Sequence, residues 1–575
     1  MLSSCAVVLG LCSFTHDSSA ALFVNGDLAG FVEEERLSGV KHTKQYPEHA
    51  VRWLLDHNGL KASDVTAVAY NFRPGPYFAE VPKALAMALG SATRPRALRR
   101  AAGFAKVGQR TRRRLAQLAV RFPNAQVTPV SHHRAHQLAA FAASGWSESA
   151  VLVVDSLGER QTTTIAAAHV DARGLPVTRT MHEVLDPASL GYVYGAVTEH
   201  LGWRRGDEEG TVMALAALGD PARFRPLFAR AVRTTDDGFV VDPSLFPPRV
   251  LTSGYLRTSE GFAAEACPAR RPDRPVTEVH QDLAAALQER TEQMMLHLAR
   301  TAQQLTGSRR LCVGGGVATN CVSIGRIVEA GIFDEVFVPP APGDAGTAIG
   351  AGVAVHADTA GSAQPLTGVA GACYLGPSYP TPDLDLRAYP ALRQEELAVD
   401  ATEHLAEQLA LGRIVGLFQG RIEAGPRALG NRSILASPLQ PGVVERLNAT
   451  VKYREPFRPF APMVPAEHAA EYFTLGQAAP FMSMASQVTP ATRLHVPAVV
   501  HANGTARVQT VTEEQNPFVH ALLLAFGRRT GVPVLINTSL NIKGQPICGT
   551  PAMALDCLAN SGLDALLIEG RWVTK

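Results

Sequence analysis

His132 and His136 are four residues apart, a spacing that puts both imidazoles on one face of a helix, one turn apart. Ser131 stands where that helix would take its N-cap. Two imidazoles so placed can grip one metal ion, although the same H-x-x-x-H pattern also describes a histidine-rich surface turn. Asp155 and Asp344 each follow an apolar run and lie beside a glycine loop. Joined to the histidines they give two nitrogens and two carboxylates, a set suited to a divalent ion such as iron, manganese or zinc. His16 sits beside Asp17 between two apolar runs. An imidazole there can take the proton of a substrate hydroxyl, or be a turn histidine satisfied by the backbone.

A second kind of chemistry is written in glycine and arginine. Gly314, Gly315 and Gly316, followed by Asn320, lie between the apolar run Leu311-Cys312-Val313 and a helical pattern. Backbone amides in such a loop cradle phosphate. Further on come Gly420-Arg421-Ile422-Glu423-Ala424-Gly425-Pro426-Arg427 with Arg432, then Lys452-Tyr453-Arg454-Glu455 with Arg458. Guanidinium forks pair with phosphate oxygens and stay charged, so several converging on one pocket suit a small phosphoanhydride; Glu423 and Glu455 could equally hold them in plain salt bridges. Lys452 is the first lysine after Lys106 in a chain with eight lysines among its 54 basic residues, which suggests a site needing a compact ammonium.

The elements that must position these groups are α/β. Apolar runs at Ala6–Leu9, Ala20–Val24 and Leu28–Glu33, with Asn25-Gly26 as a tight turn, read as strand, loop, hairpin. The outline recurs from Ala150 to Val177, predicting a duplicated lobe with a cleft between the copies. A helix is expected over Asp282–Gln304, strands at 311–313 and 335–338, and another helix from about Thr347. Small and turn-forming residues from Ala360 to Pro380 mark the main boundary, giving domains at 1–365 and 366–575. In the second, a helix at 400–411, a strand at 414–418 and a strand at 532–536 feeding the loop 537–541 are again α/β.

At 575 residues the chain is too long for one domain. With 46% hydrophobic and 18% charged residues, 49 Gly and 39 Pro, it is neither disordered nor collagen-like. No membrane span or signal pattern is evident, so a cytoplasmic location is expected. Eight scattered cysteines form no C-x-x-C pair, which leaves buried thiols. A formal charge of +2 excludes a globally nucleic-acid-like surface. Nine basic residues from Arg94 to Arg114 could bind an anionic ligand, but aromatic residues do not alternate with them, and a solvated helical insertion is favoured.

These residues together resemble the nodulation and antibiotic O-carbamoyltransferase family, which includes the tobramycin and novobiocin carbamoyltransferases. The blocks that carry the resemblance run nearly end to end: His16-Asp17-Ser18-Ser19-Ala20, Glu33-Glu34-Glu35-Arg36, Lys41-His42, His132 to His136, Val154-Asp155, Gly314 to Asn320, Asp344, Gly425 to Gly430, Phe457 to Pro462 and Asn537-Thr538-Ser539. The resemblance implies an N-terminal lobe pair of the actin and hexokinase ATPase kind and a C-terminal YrdC-like α/β domain. It implies that carbamoyl phosphate and ATP yield carbamoyl adenylate, with Mg2+ accompanying ATP, and that the carbamoyl group passes to a hydroxyl of a secondary metabolite. By analogy His132, His136, Asp155 and Asp344 resemble metal ligands, usually to Fe2+, and His16 resembles the base. Lys41, Gly314, Gly315, Gly316 and Asn320 resemble nucleotide contacts. Arg427, Arg432, Lys452, Arg458, Arg507, Asn537 and Ser539 resemble a carbamoyl phosphate pocket and its surroundings. Thr211 stands where family members often have lysine. The expected partner is a small hydroxylated acceptor, with no membrane and no nucleic acid; a homo-oligomer is left open. A tRNA threonylcarbamoyl-type enzyme and a nucleotide-binding protein without turnover are the alternatives.

Overall fold

The structure is a computed structural model that describes residues 6–14, 16–87, 94–251, 255–359, 364–397 and 399–575. Cys5, Thr15 and the 360–363 part of the expected boundary lie outside the described residues. The chain divides into two compact units. The first comprises Met1–Phe31, Lys44–Thr319 and Ala330–Ala372; the second comprises Val32–Thr43, Asn320–Glu329 and Cys373–Lys575.

The first unit holds two five-stranded sheets built alike. Strands β1 (Val7–Cys12), β2 (Ser19–Val24), β3 (Asp27–Glu33), β4 (Ala67–Tyr70) and β5 (Gln126–Pro129) take the order β3-β2-β1-β4-β5. The second sheet uses β6 (Glu148–Val154), β7 (Gln161–Val170), β8 (Pro176–Leu185), β9 (Arg310–Gly314) and β10 (Glu335–Phe337), in the order β10-β9-β6-β7-β8. In each, the central strand is antiparallel to its hairpin partner and parallel to the strand on its other side. The two equivalent strand orders are the duplicated lobe expected from the repeated outline in the sequence. β1 is buried at every position, which is why it reads as an unbroken apolar run. Asn25 (φ 52°) and Gly26 (φ 87°) make the expected mirror-type turn between β2 and β3.

Duplication places the first loop of each lobe, after β1 and after β6, in equivalent positions, and these loops carry His16 and Asp155. Helices α1 (Pro74–Ala86) and α2 (Arg94–Arg121) precede α3 (His132–Ser144); α4 (Leu190–His200) and α5 (Glu278–Thr306) follow. α2 is less solvated than its composition suggests. Arg96 donates to the Pro248 carbonyl (2.7 Å), Arg100 is buried against Asp186 and the Arg249 carbonyl, and Arg112 and Arg114 lie over the rings of Phe78 and Phe14. α6 (Cys321–Glu329) belongs to the second unit and α7 (Thr347–Thr359) to the first. α7 is pressed between α3 and β1. A Cβ on Gly350 would stand 1.7 Å from the Ala135 carbonyl oxygen, and one on Gly10 2.0 Å from that of Ala348.

The second unit is built on an eight-stranded mixed sheet: β11 (Arg393–Glu395), β12 (Val415–Phe418), β13 (Arg432–Ala436), β14 (Ala461–Pro465), β15 (Gln509–Val511), β16 (Leu535–Ser539), β17 (Ala565–Ile568) and β18 (Arg571–Thr574). Their order is β11-β18-β17-β12-β13-β16-β14-β15. Period-two alternation splits the core between the faces. Val415, Leu417, Leu435, Leu535 and Leu567 pack with α8 (Ala401–Ala410) and α9 (Pro517–Thr530), while Phe418, Ile434, Ile536, Leu566 and Ile568 form the other layer. β16 runs on through Asn537 and Ser539, which were expected in a loop, because they pair with Leu435 and Ser433 of β13. Among the described residues no helix is long and apolar enough to cross a membrane.

Candidate active site

In the first unit, one donor atom from each of His132, His136, Asp155 and Asp344 lies within 4.8 Å of the others, and all four side chains are buried. His132 Nε2 is 3.1 Å from His136 Nε2, 3.5 Å from Asp155 Oδ2 and 3.4 Å from Asp344 Oδ1; His136 Nε2 is 3.7 Å from Asp344 Oδ1. Ligands about 2.1 Å from a single ion stand roughly 3.0 to 3.4 Å apart, so the spacing fits one divalent cation. Two buried carboxylates facing imidazoles also supply the charge such an ion requires.

The electrostatics show how strongly this cluster attracts positive charge. Burial works against a charged His132, but the charge of Asp344 and hydrogen bonds to Asp155 and Asp344 outweigh it and raise its pKa to about 10. Burial would raise Asp155 and Asp344, yet their histidine neighbours hold both below the usual carboxylate range. His133, between the two histidines in sequence, is drawn down to about 3 by burial and by His132, so it stays neutral. Its Nδ1 meets Thr164 Oγ1 at 3.1 Å.

His16 stands at the rim, its side chain 47% exposed, with Nε2 3.9 Å from Asp344 Oδ2 and Nδ1 2.8 Å from Asp17 Oδ2. Desolvation lowers its pKa, but Asp344, Asp17 and Asp155 raise it to about 9, a pull that water at this exposure moderates.

Three supports were invisible in the sequence. Ser131 does not cap α3 through its side chain; the carboxylate of Glu159 takes that place, accepting the His132 N–H at 3.3 Å. Phe72 stacks on His132 with ring centres 4.5 Å apart and planes 9° off parallel. Asn71 donates to Thr347 Oγ1 (2.7 Å), and that hydroxyl donates to the Asp344 carbonyl. Signals for them would have been only the end of β4 and the fifth residue of the Asp155 loop.

Of the expected nucleotide contacts, Gly314–Gly316 lie in the first unit, where the Gly316 N–H donates to Asp155 Oδ1 at 3.1 Å. Gly315 needs φ 88°, and a Cβ there would stand 2.3 Å from the Val154 carbonyl oxygen. Lys41 and Asn320 fall in the second unit, where Asn320 Oδ1 accepts the Ser323 N–H at the start of α6. Thr211 is fully buried in the first unit.

The second unit gathers cations. Glu423 is spent on backbone, Oε1 accepting the N–H groups of Leu429 (3.0 Å), Asn431 (2.8 Å) and Arg432 (2.8 Å), which shapes the 425–431 loop. Asn537 fastens that loop to the sheet through the Ala428 carbonyl (2.9 Å) and Gln509 (2.7 Å). Arg427 is lowered to about 9 by burial and by Arg507, with Arg458 adding to the repulsion; Arg507 is lowered by burial and by Arg458. Arg454, which the sequence did not single out, is lowered by burial and the same neighbours. These guanidinium groups thus lie close enough to repel one another, a repulsion that a bound anion would relieve.

Lys452 Nζ meets four oxygens of Ser539 and Asn541 at 2.6 to 3.2 Å, and burial draws it down to about 7. Arg432 stands apart from this cluster. It is fully buried over the Phe418 ring (3.6 Å) and bonded to the carbonyls of Gln419, Gly420 and Asn431, so its guanidinium braces the loop.

Comparison with known proteins agrees with this two-part layout. Residues 7–353 match the family model for the carbamoyltransferase N-terminus and residues 406–575 that for the carbamoyltransferase C-terminus. The chain is 34% identical over 572 residues to nodulation protein NolNO of Sinorhizobium fredii, covering 98% of this chain and 79% of that protein. It is 36% identical over 452 residues to nodulation protein NolO of Bradyrhizobium diazoefficiens, covering 78% of this chain and 79% of that one. An uncharacterised protein of Synechocystis, sll1178, is 33% identical over 610 residues, covering 99% and 96%. With both halves matched in order, the chain belongs to the carbamoyltransferase family and is a carbamoyltransferase.

Proposed function

We propose that residues 366–575 make carbamoyl adenylate from carbamoyl phosphate and ATP, and that residues 1–365 transfer the carbamoyl group to a hydroxyl of a secondary metabolite. Water cleaves carbamoyl phosphate into phosphate and carbamate, whose oxygen then attacks the α-phosphorus of ATP and expels pyrophosphate. Arg427, Arg454, Arg458 and Arg507 would hold the phosphate, with Lys452 fixed on Ser539. The acceptor oxygen then attacks the carbamoyl carbon, the acyl–oxygen bond breaks, AMP leaves, and the proton goes to His16 while Asp17 orients its ring.

Fe2+ or another divalent ion held by His132, His136, Asp155 and Asp344 would supply positive charge beside the adenylate phosphate. That charge also offsets the field of the carboxylates on His16, which favours the neutral imidazole a base needs. The Gly314–Gly316 loop is the expected nucleotide contact; with the Gly315 N–H given to the Pro342 carbonyl and the Gly316 N–H to Asp155, it would serve by close backbone approach rather than by donating these two amides. Carbamate is a poor electrophile, and a mixed anhydride with AMP provides the leaving group.

The observation that carries this reading is the buried two-histidine, two-aspartate centre with His16 3.9 Å from one of its carboxylates. Purified protein given ATP, Mg2+, carbamoyl phosphate and a panel of hydroxylated antibiotic precursors should release pyrophosphate only with carbamoyl phosphate present. It should yield AMP plus a carbamate ester with the right acceptor. Pyrophosphate release indifferent to carbamoyl phosphate would overturn the proposal.

A further inference from the structure

Glu159 is 1% exposed, and its carboxylate is given to backbone amides of two separate segments. Oε1 accepts the Arg73 N–H at 2.9 Å, and both oxygens lie 3.3 Å from the His132 N–H, an amide that a helix start leaves without an internal partner. Glu159 shares its loop with Asp155, four residues earlier, so one short loop carries both an expected ligand and the group that holds the helix of the other two. Space around the loop is tight: a Cβ on Gly158 would meet His133 Cδ2 at 2.8 Å and His132 Cβ at 3.4 Å. The partner segment is equally tied in. Arg73 follows Phe72, which stacks on His132, and Asn71, which is linked through Thr347 to the Asp344 backbone.

We infer that Glu159 is a positioning residue: by fastening the first turn of α3 to the Asp155 loop and to residues 71–73, it sets the separation of His132, Asp155 and Asp344 and thereby the affinity of the centre for its metal. The inference rests on the metal reading proposed above. Glu159 acts through the His132 backbone and does not touch the ion. Its effect is that of outer groups that orient ligands, whose loss typically costs 10- to 100-fold in metal affinity.

The test uses the full-length protein and Co2+ as the probe, with affinity read by chelator competition and geometry by the visible absorption of the bound ion. Glu159→Ala should bind Co2+ about 10- to 100-fold more weakly than wild type, with an altered spectrum. Glu159→Gln keeps one oxygen for both N–H groups and should stay within about threefold. Glu159→Asp keeps the charge but is one methylene short; it should fall between them, and it decides the matter if the alanine variant fails to fold. Folded Ala and Asp variants that bind Co2+ as wild type does, even with a lower melting temperature, would overturn the inference. Wild type that takes up no more Co2+ than His132→Ala would instead overturn the metal reading beneath it.

Discussion

His132 meets three other donor atoms within 3.5 Å, so its removal should empty the centre. His132→Ala or Asp344→Asn is expected to purify without the stoichiometric metal of wild type, measured by elemental analysis, and to lose carbamate ester formation. Pyrophosphate release dependent on carbamoyl phosphate should persist, because the arginine cluster belongs to the second unit. His16→Ala should keep its metal and the same pyrophosphate release but lose at least about 100-fold in ester formation, the usual worth of a general base. Lys452 gives a prediction in pH. Its folded pKa of about 7 lies below its ordinary value of 10.5, so between these limits the unfolded chain binds more protons and stability rises with pH. Lys452→Met removes that dependence. Melting curves should show the variant gaining on wild type as pH falls from 10 to 7 and no further change below 7; a constant gap would contradict it.

Among elements, α3 and α7 control the centre together, one carrying both histidines and the other starting just after Asp344. Gly350 lets them touch. A methyl group there would stand 1.7 Å from the Ala135 carbonyl oxygen, a backbone atom that cannot swing aside. Gly350→Ala should therefore destabilise by about 1–3 kcal/mol or more and widen the gap from His136 to Asp344, seen as a lower melting temperature and weaker Co2+ binding. The sequence disclosed what is local. The four-residue interval of His132 and His136, the Asn25-Gly26 turn and the repeated strand-loop-hairpin are short-range patterns, and each appears in the fold. Glu159 was missed because its partners are 27 and 86 residues away and no periodicity connects them. Arg432 was read with the phosphate arginines because residue type alone does not distinguish a guanidinium aimed at an anion from one that satisfies carbonyls. Asn537 and Ser539 were placed in a loop since polar residues in a central strand carry no hydrophobic signal.

At the scale of the whole chain, the second unit draws in two distant pieces, Val32–Thr43 and α6. Arg36 is buried there, paired with Glu33 (2.7 Å) and Glu35 (2.9 Å), and donates to the Gly425 carbonyl at 2.7 Å. The backbone approaches so closely that a Cβ on Gly549 would be 1.7 Å from the Arg36 carbonyl oxygen. On α6, a Cβ on Gly325 would stand 2.1 Å from the Ala485 carbonyl oxygen. A fragment of 373–575 lacks both pieces, so apolar and polar surface buried in the full chain becomes wet. It should melt well below the corresponding transition of the intact protein by calorimetry, and adding a peptide of residues 32–43 should raise that temperature; equal melting would refute this. The inclusion of Val32–Thr43 also bears on biosynthesis. A nascent polypeptide emerges from its N-terminal end, so this early segment leaves the ribosome hundreds of residues before Gly425 and Gly549 exist. Its charged side chains, Arg36 with Glu33 and Glu35, can remain hydrated through that interval, and the later synthesis of 373–575 supplies the surface against which they finally close.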